Sequence, residues 1–166
     1  MRVLGIDPGL ATIGLGVVDS ASPSDIRAVE WLVLRTKPGR PLADRLREIH
    51  ADFSEYLAEC KPDLAVIERQ FFAKNETTAM DVSHARGCLL LALAQHDIPH
   101  LEPTPLQLKS AVTGDGKASK AQIQDMMALM LRLETKPTPD DAADALALAV
   151  YGALRANDPA TALVLP

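Results

Sequence analysis

Four carboxylates stand where carboxylates are hard to keep. Asp7 closes the apolar stretch "RVLGI", Glu68 closes "LAVI", and Asp141 and Asp144 lie three apart in "DDAADALALA". On a helix that last spacing projects both side chains from one face, about one turn apart. Their small neighbours Ala142, Ala143, Ala145 and Ala147 let such a helix lie close against whatever it covers, so it is expected to be largely buried. Buried aspartates need an ion pair, hydrogen bonds or a cation. Several carboxylates forced together raise one another's pKa unless a cation neutralises them, and all-oxygen ligation favours Mg²⁺ or Mn²⁺. Two such ions about 4 Å apart can activate a water and stabilise the leaving oxygen of a phosphodiester. A cap or a surface charge would explain any one of these acids, but the set points to phosphodiester hydrolysis without a covalent intermediate.

The elements that must position them follow from periodicity. Residues 2–7 are mostly apolar, as in a central strand buried on both faces. "TIGLGVVD" and "IRAVEWLVLRT", separated by the turn-rich "SASPSD", complete an antiparallel meander of three strands. Gly9, Gly14 and Gly16 read as turns and close backbone approaches that keep this hairpin low beside Asp7. Leu42, Leu46, Ile49, Phe53 and Leu57 then recur at helical spacing just after Pro41, which suits a first turn. "KPDLAVIE" reads as a short buried strand ending in Glu68. The Ala- and Leu-rich helix over 77–96 is apolar on more than one face, a surplus that suggests a dimer interface. "IPHLEP" is a short strand, "TPLQLKSAVT" a short helix, "GDGKASK" a loop into the helix "AQIQDMMALMLRL", and the last helix begins near Pro139. The class is α/β with a mixed sheet, and ligands in such folds gather beyond the carboxyl ends of central strands, where Asp7 and Glu68 would both lie.

A chain of 166 residues suits one domain, here placed at 1–155 with a loosely tied tail at 156–166. The net charge of −5 argues against indiscriminate binding to a polyanion, so the placement of the lysines matters more than their number. Lys109, Lys117 and Lys120 cluster around "TGDG", where ammonium groups and backbone donors could both reach phosphates. Phe71 and Phe72 follow Glu68 where a polar loop would be expected, and Phe72 reads as core. The first apolar run lacks a basic leader and no segment is long enough to span a bilayer, so a cytoplasmic chain with no membrane partner is expected. Cys60 and Cys88 then act as apolar filler, and the acceptor tripeptide Asn75-Glu76-Thr77 carries no meaning without secretion. His84 and Arg86, in "SHARG", receive no role at this stage.

"GIDPGLATIGLGVV", "AVIERQFFAKN", "SHARG", "PTPLQLKSAVTGDGKASKAQIQ" and "DDAADALALA" occur in an order and spacing that resembles the RuvC family of bacterial Holliday junction resolvases, nearly throughout the chain to about residue 153. The resemblance implies a ribonuclease H-like fold with a mixed five-stranded sheet, its first three strands antiparallel and flanked by helices. It implies a homodimer that makes paired nicks in a four-way DNA junction, leaving ligatable 5′-phosphate ends. Asp7, Glu68, Asp141 and Asp144 match the family's metal ligands, two Mg²⁺ or Mn²⁺ per site, although some relatives carry histidine at the position of Asp141. Lys109 and Lys120 match DNA-contacting lysines, with Lys117 in the same loop, and Phe71 matches a position that stacks on bases near the crossover. The resemblance also implies a modest sequence preference at the cut and a RuvA–RuvB branch-migration partner.

Three rivals are weaker. A nucleotide-binding protein of the actin and sugar-kinase type needs a second such domain and a second phosphate loop, and "GDGKAS" lacks the Walker pattern. A non-catalytic junction scaffold would keep the lysines and lose the acids, yet all four acids are present. A ribonuclease acting on RNA–DNA hybrids shares the metal chemistry, and only the "TGDGKASK" loop and the expected dimer helix oppose it.

Overall fold

A computed structural model describes residues 1–69 and 76–156, with side chains for 1–69 and 79–156. Phe71, Phe72, Asn75 and the tail from residue 157 lie outside the described residues. Strands β1 (Arg2–Asp7), β2 (Thr12–Ser22) and β3 (Asp25–Arg35) are followed by α1 (Leu42–Cys60), β4 (Leu64–Ile67) and α2 (Glu76–Gln95). Then come β5 (His100–Leu101), α3 (Pro105–Thr113), α4 (Lys120–Met130) and α5 (Asp140–Ala156). The five strands lie in the order β3-β2-β1-β4-β5, antiparallel among the first three and parallel from β1 to β4 to β5. The mixed α/β architecture expected from the sequence is the one observed. The β2–β3 hairpin is tighter than "SASPSD" implied: pairing continues to Ser22 and Asp25, with register shifts between Val17 and Val18 and between Ser20 and Ser22. Pro41 caps α1 rather than entering its first turn.

The alternation of strand side chains divides the core in two. Leu4, Ile6, Leu15, Val17, Ala65 and Ile67 face α1 and α2, packing on Ile49, Phe53, Leu57, Leu89 and Leu93. Cys60 belongs to this layer, in keeping with the filler role. On the opposite face Val3, Val18, Leu64 and Val66 pack with α3, α4 and α5. Helix α5 lies in the middle of that layer and is buried at Ala142, Ala143 and every position from Ala145 to Ala153. Among the described residues no helix is long and apolar enough to cross a membrane.

Close packing of α5 depends on glycines inside the strands. A Cβ at Gly5 would sit 1.9 Å from the Ala145 carbonyl oxygen, one at Gly14 2.0 Å from that of Asp141, and one at Gly16 2.5 Å from Leu146 N. The close-approach half of the sequence reading therefore holds, but Gly14 and Gly16 form no turn: they are interior to β2, paired with Asp7 and Gly5. They make a flat seam on which an Ala-rich helix can rest backbone to backbone.

Candidate active site

Period-two alternation places the first two acids. Val3, Gly5 and Asp7 share the α5 face of β1, while Leu64 and Val66 share that face of the parallel neighbour β4, so Glu68, one residue past its end, continues on the same side. Ile6 pairs with Ile67, which makes Asp7 and Glu68 the next residues along two adjacent strands. The glycine seam supplies the third element: Gly14, the register partner of Asp7, carries the first turn of α5 directly over it.

A cleft of about 200 Å³ opens where these ends meet, lined by Asp7, Glu68, Asp144, Lys109 and Lys120 and floored by apolar groups that include Leu108, Ile123 and Leu148. Both lysines are set by helix caps. Thr104 and Gln107 form a reciprocal capping box at the start of α3, which fixes the helix carrying Lys109. Ser119 and Gln122 do the same for α4, whose first residue is Lys120. Lys120 Nζ donates to Asp144 Oδ2 at 2.9 Å and lies 3.3 Å from Asp140 Oδ2. Lys117 is exposed in the intervening turn, where its backbone N–H donates to Asp115 Oδ1 at 2.8 Å, and it stands outside the cleft.

The cleft is over-supplied with negative charge. Burial first, then the charges of Asp144, Glu68 and Asp141, push the Asp7 carboxyl up to about 7, against an opposing pull from Lys120. Burial and Asp144 likewise raise Glu68, while Lys109 lowers it. Lys120 is raised, chiefly by its hydrogen bond to Asp144. Asp141 does not line the cleft, but its charge reaches Asp7. Among the described residues no three His, Cys, Asp or Glu side chains already converge as a closed cage. The donor set nevertheless fits a hard divalent cation, because it is made only of carboxylates and a cation would offset both the burial and the mutual repulsion that raise its most buried member, Asp7.

A model of the family described as "Crossover junction endodeoxyribonuclease RuvC" matches residues 3–152, from β1 to the body of α5. The chain belongs to the RuvC family. The RuvC of Thermomicrobium roseum is 48% identical over 150 residues, covering 90% of this chain and 91% of that one. Among solved structures, Thermus thermophilus RuvC superposes with a TM-score of 0.87 at 35% identity, over 94% of this chain and 95% of the other. Its complex with a Holliday junction substrate gives a TM-score of 0.89 at 36% identity, over 95% of both chains. RuvC-family nucleases are generally metal-dependent, and the carboxylates that line the cleft of this chain suit that chemistry.

Of the residues selected from sequence, Asp7, Glu68, Asp144, Lys109 and Lys120 meet in one cleft, Asp141 stands beside it, Lys117 lies on the adjacent turn, and Phe71 is outside the described residues. Sequence reasoning missed Asp140, which shares Lys120 with Asp144, and the contact of Arg86 with Glu68. Asp140 could have been found as the residue preceding Asp141 on the same helix turn as Asp144, at the i,i+4 spacing.

Proposed function

We propose that this chain is a homodimeric, structure-selective endonuclease that resolves Holliday junctions in recombination and repair by paired nicks in opposed strands, leaving ligatable 5′-phosphate ends. The observation that carries this reading is the cleft itself, in which carboxylates from two strand ends and a helix face two lysines across about 200 Å³. Asp7, Glu68, Asp141 and Asp144 would hold two Mg²⁺ or Mn²⁺ ions. When bound, such ions supply a water nucleophile at neutral pH and stabilise the leaving oxygen.

The remaining work falls to the chain's own side chains. Lys109 and Lys120, at the mouth of the cleft, hold the non-bridging oxygens of the scissile phosphate and orient it toward the acids. Lys117 contacts a neighbouring phosphate, and Phe71 stacks on an unpaired base at the crossover. A second copy of the chain supplies the second cut, a RuvA–RuvB complex supplies branch migration, and the cytoplasm is the expected compartment.

The test is strand cleavage of a synthetic mobile four-way junction with Mg²⁺ or Mn²⁺, beside linear duplex and RNA–DNA hybrid. Symmetric nicks confined to the junction support the reading; cleavage of the hybrid at a comparable rate would replace it with a ribonuclease.

A further inference from the structure

Arg86, on α2, reaches across the end of β4. Its Nε donates to the main-chain oxygen of Glu68 at 3.2 Å, and its Nη2 is ion-paired with Glu102 Oε2. The other Glu102 oxygen lies 3.4 Å from Nε2 of His100, on β5. Only 17% of the Arg86 side chain is exposed, so this guanidinium is not a solvated surface charge. Nor is it needed to seat α2, which is anchored in the core by Ala85, Leu89, Ala92 and Leu93.

The placement matters because of what Glu68 lacks. It is the first residue past β4, where the ladder to β1 has ended at Ile67 and the ladder to β5 at Val66. A backbone carbonyl at that point has no strand partner and leaves its peptide plane free to turn. Here the plane is held at both ends. The Glu68 carbonyl accepts from Arg86, and the N–H of the same peptide unit, that of Arg69, donates to the Pro103 carbonyl at 2.9 Å. Fixing that plane fixes ψ of Glu68, and with it the direction in which the side chain leaves the backbone.

We infer that Arg86, braced by Glu102, is a positioning residue that keeps the Glu68 carboxylate aimed into the cleft and ties that aim to α2. The inference rests on the reading of Glu68 as a cation ligand. A lysine could not substitute fully, since a planar fork serves the carbonyl and the carboxylate at once and a single ammonium is a point donor. Groups that orient a metal ligand typically change metal affinity by about 10–100-fold when removed.

The experiment measures Mn²⁺ affinity of the full chain without DNA, by the loss of the free-ion electron paramagnetic resonance signal, with thermal unfolding recorded for each variant. Arg86→Ala is expected to weaken Mn²⁺ binding about tenfold, Arg86→Lys to recover only part of the loss, and Glu68→Gln to weaken binding at least as much as Arg86→Ala. In the Glu68→Gln background, Arg86→Ala should cost nothing further, because its effect runs through the carboxylate already lost. Glu102→Gln leaves the arginine in place without its brace, should weaken binding in the same direction, and is read instead if Arg86→Ala does not fold. Unchanged Mn²⁺ affinity in Arg86→Ala beside a weakened Glu68→Gln, or an undiminished further loss in the double variant, would overturn the inference alone. Unchanged affinity in Glu68→Gln would overturn the ligand reading and the inference with it.

Discussion

Lys120 Nζ sits 2.9 Å from Asp144 Oδ2, so the cleft's own cation is already in contact with one of its acids. The pair is partly open to solvent, with 49% of the lysine side chain exposed and 35% of the aspartate, and Asp140 shares the ammonium. A divalent ion held as proposed would compete with this lysine for Asp144, and the released lysine would be free for a phosphate. Lys120 thus has two possible partners of opposite consequence.

Removing it should separate them. Lys120→Ala is expected to bind Mn²⁺ about two- to fivefold more tightly in the absence of DNA, the range a solvent-screened pair of up to about 1 kcal/mol allows. The same variant should cleave the junction more slowly, since the proposed phosphate contact would be lost. Calorimetric Mn²⁺ titration set beside single-turnover cleavage would check both halves; weaker Mn²⁺ binding would mean that the lysine helps to build the metal site.

Asp7 makes a prediction about pH. Its folded pKa, raised to about 7, exceeds the unfolded value near 4, so across that interval the folded chain holds a proton that the unfolded chain has released. Stability of the metal-free protein must therefore fall as pH rises from about 4 to about 7. Asp7→Asn cannot ionise and should escape that loss, being more stable than the parent at pH 8 by about 2–4 kcal/mol in EDTA and close to it at pH 4. Junction binding should persist while cleavage is abolished. Thermal unfolding at the two pH values decides; an equal difference at both would remove the carboxylate's titration as the cause.

Gly14 bears on both fold and site. An added Cβ would meet the Asp141 carbonyl oxygen at 2.0 Å, backbone against backbone, with no side chain able to swing aside. Gly14→Ala should cost about 1–3 kcal/mol of stability. Its effect on cleavage should be larger than that loss implies, about a hundredfold, because it lifts the turn carrying Asp141 and Asp144 off the end of β1. Chemical denaturation and cleavage under fully folded conditions separate the two; full activity in a folded Gly14→Ala protein would show that the seam does not set the site.

The parts of the site that were legible in sequence are those governed by a local period. Asp7 and Glu68 each end an apolar run, and alternation alone puts both on the α5 side of parallel neighbours. The spacing of Asp141 and Asp144 on an alanine-rich helix implied burial, and α5 is buried almost throughout. What escaped depends on long-range contact. Gly14 and Gly16 were ambiguous between turn and strand because only the helix lying on them explains their lack of a side chain. Arg86 was visible in "SHARG", but its partners lie 16 and 18 residues away across two strand ends, a distance at which no local period signals contact.

The second face of α2 leads to the last prediction. Ala85, Leu89, Ala92 and Leu93 point into the core, and a stripe on the opposite side runs Met80, His84, Gly87, Leu91 at spacings of four, three and four. Met80 and Leu91 are each 54% exposed, and Gly87 between them has open space where a side chain would be. A helix carrying apolar groups on opposite sides has a second surface to cover, and a glycine at its centre allows another helix to approach closely. Leu91→Glu places a charge on that stripe and touches none of the core-facing positions. It is expected to leave thermal unfolding of the subunit nearly unchanged, to weaken the proposed dimer at least tenfold in sedimentation equilibrium, and to turn paired junction cutting into uncoupled single nicks. A Leu91→Glu dimer of undiminished affinity would move the subunit contact to another face.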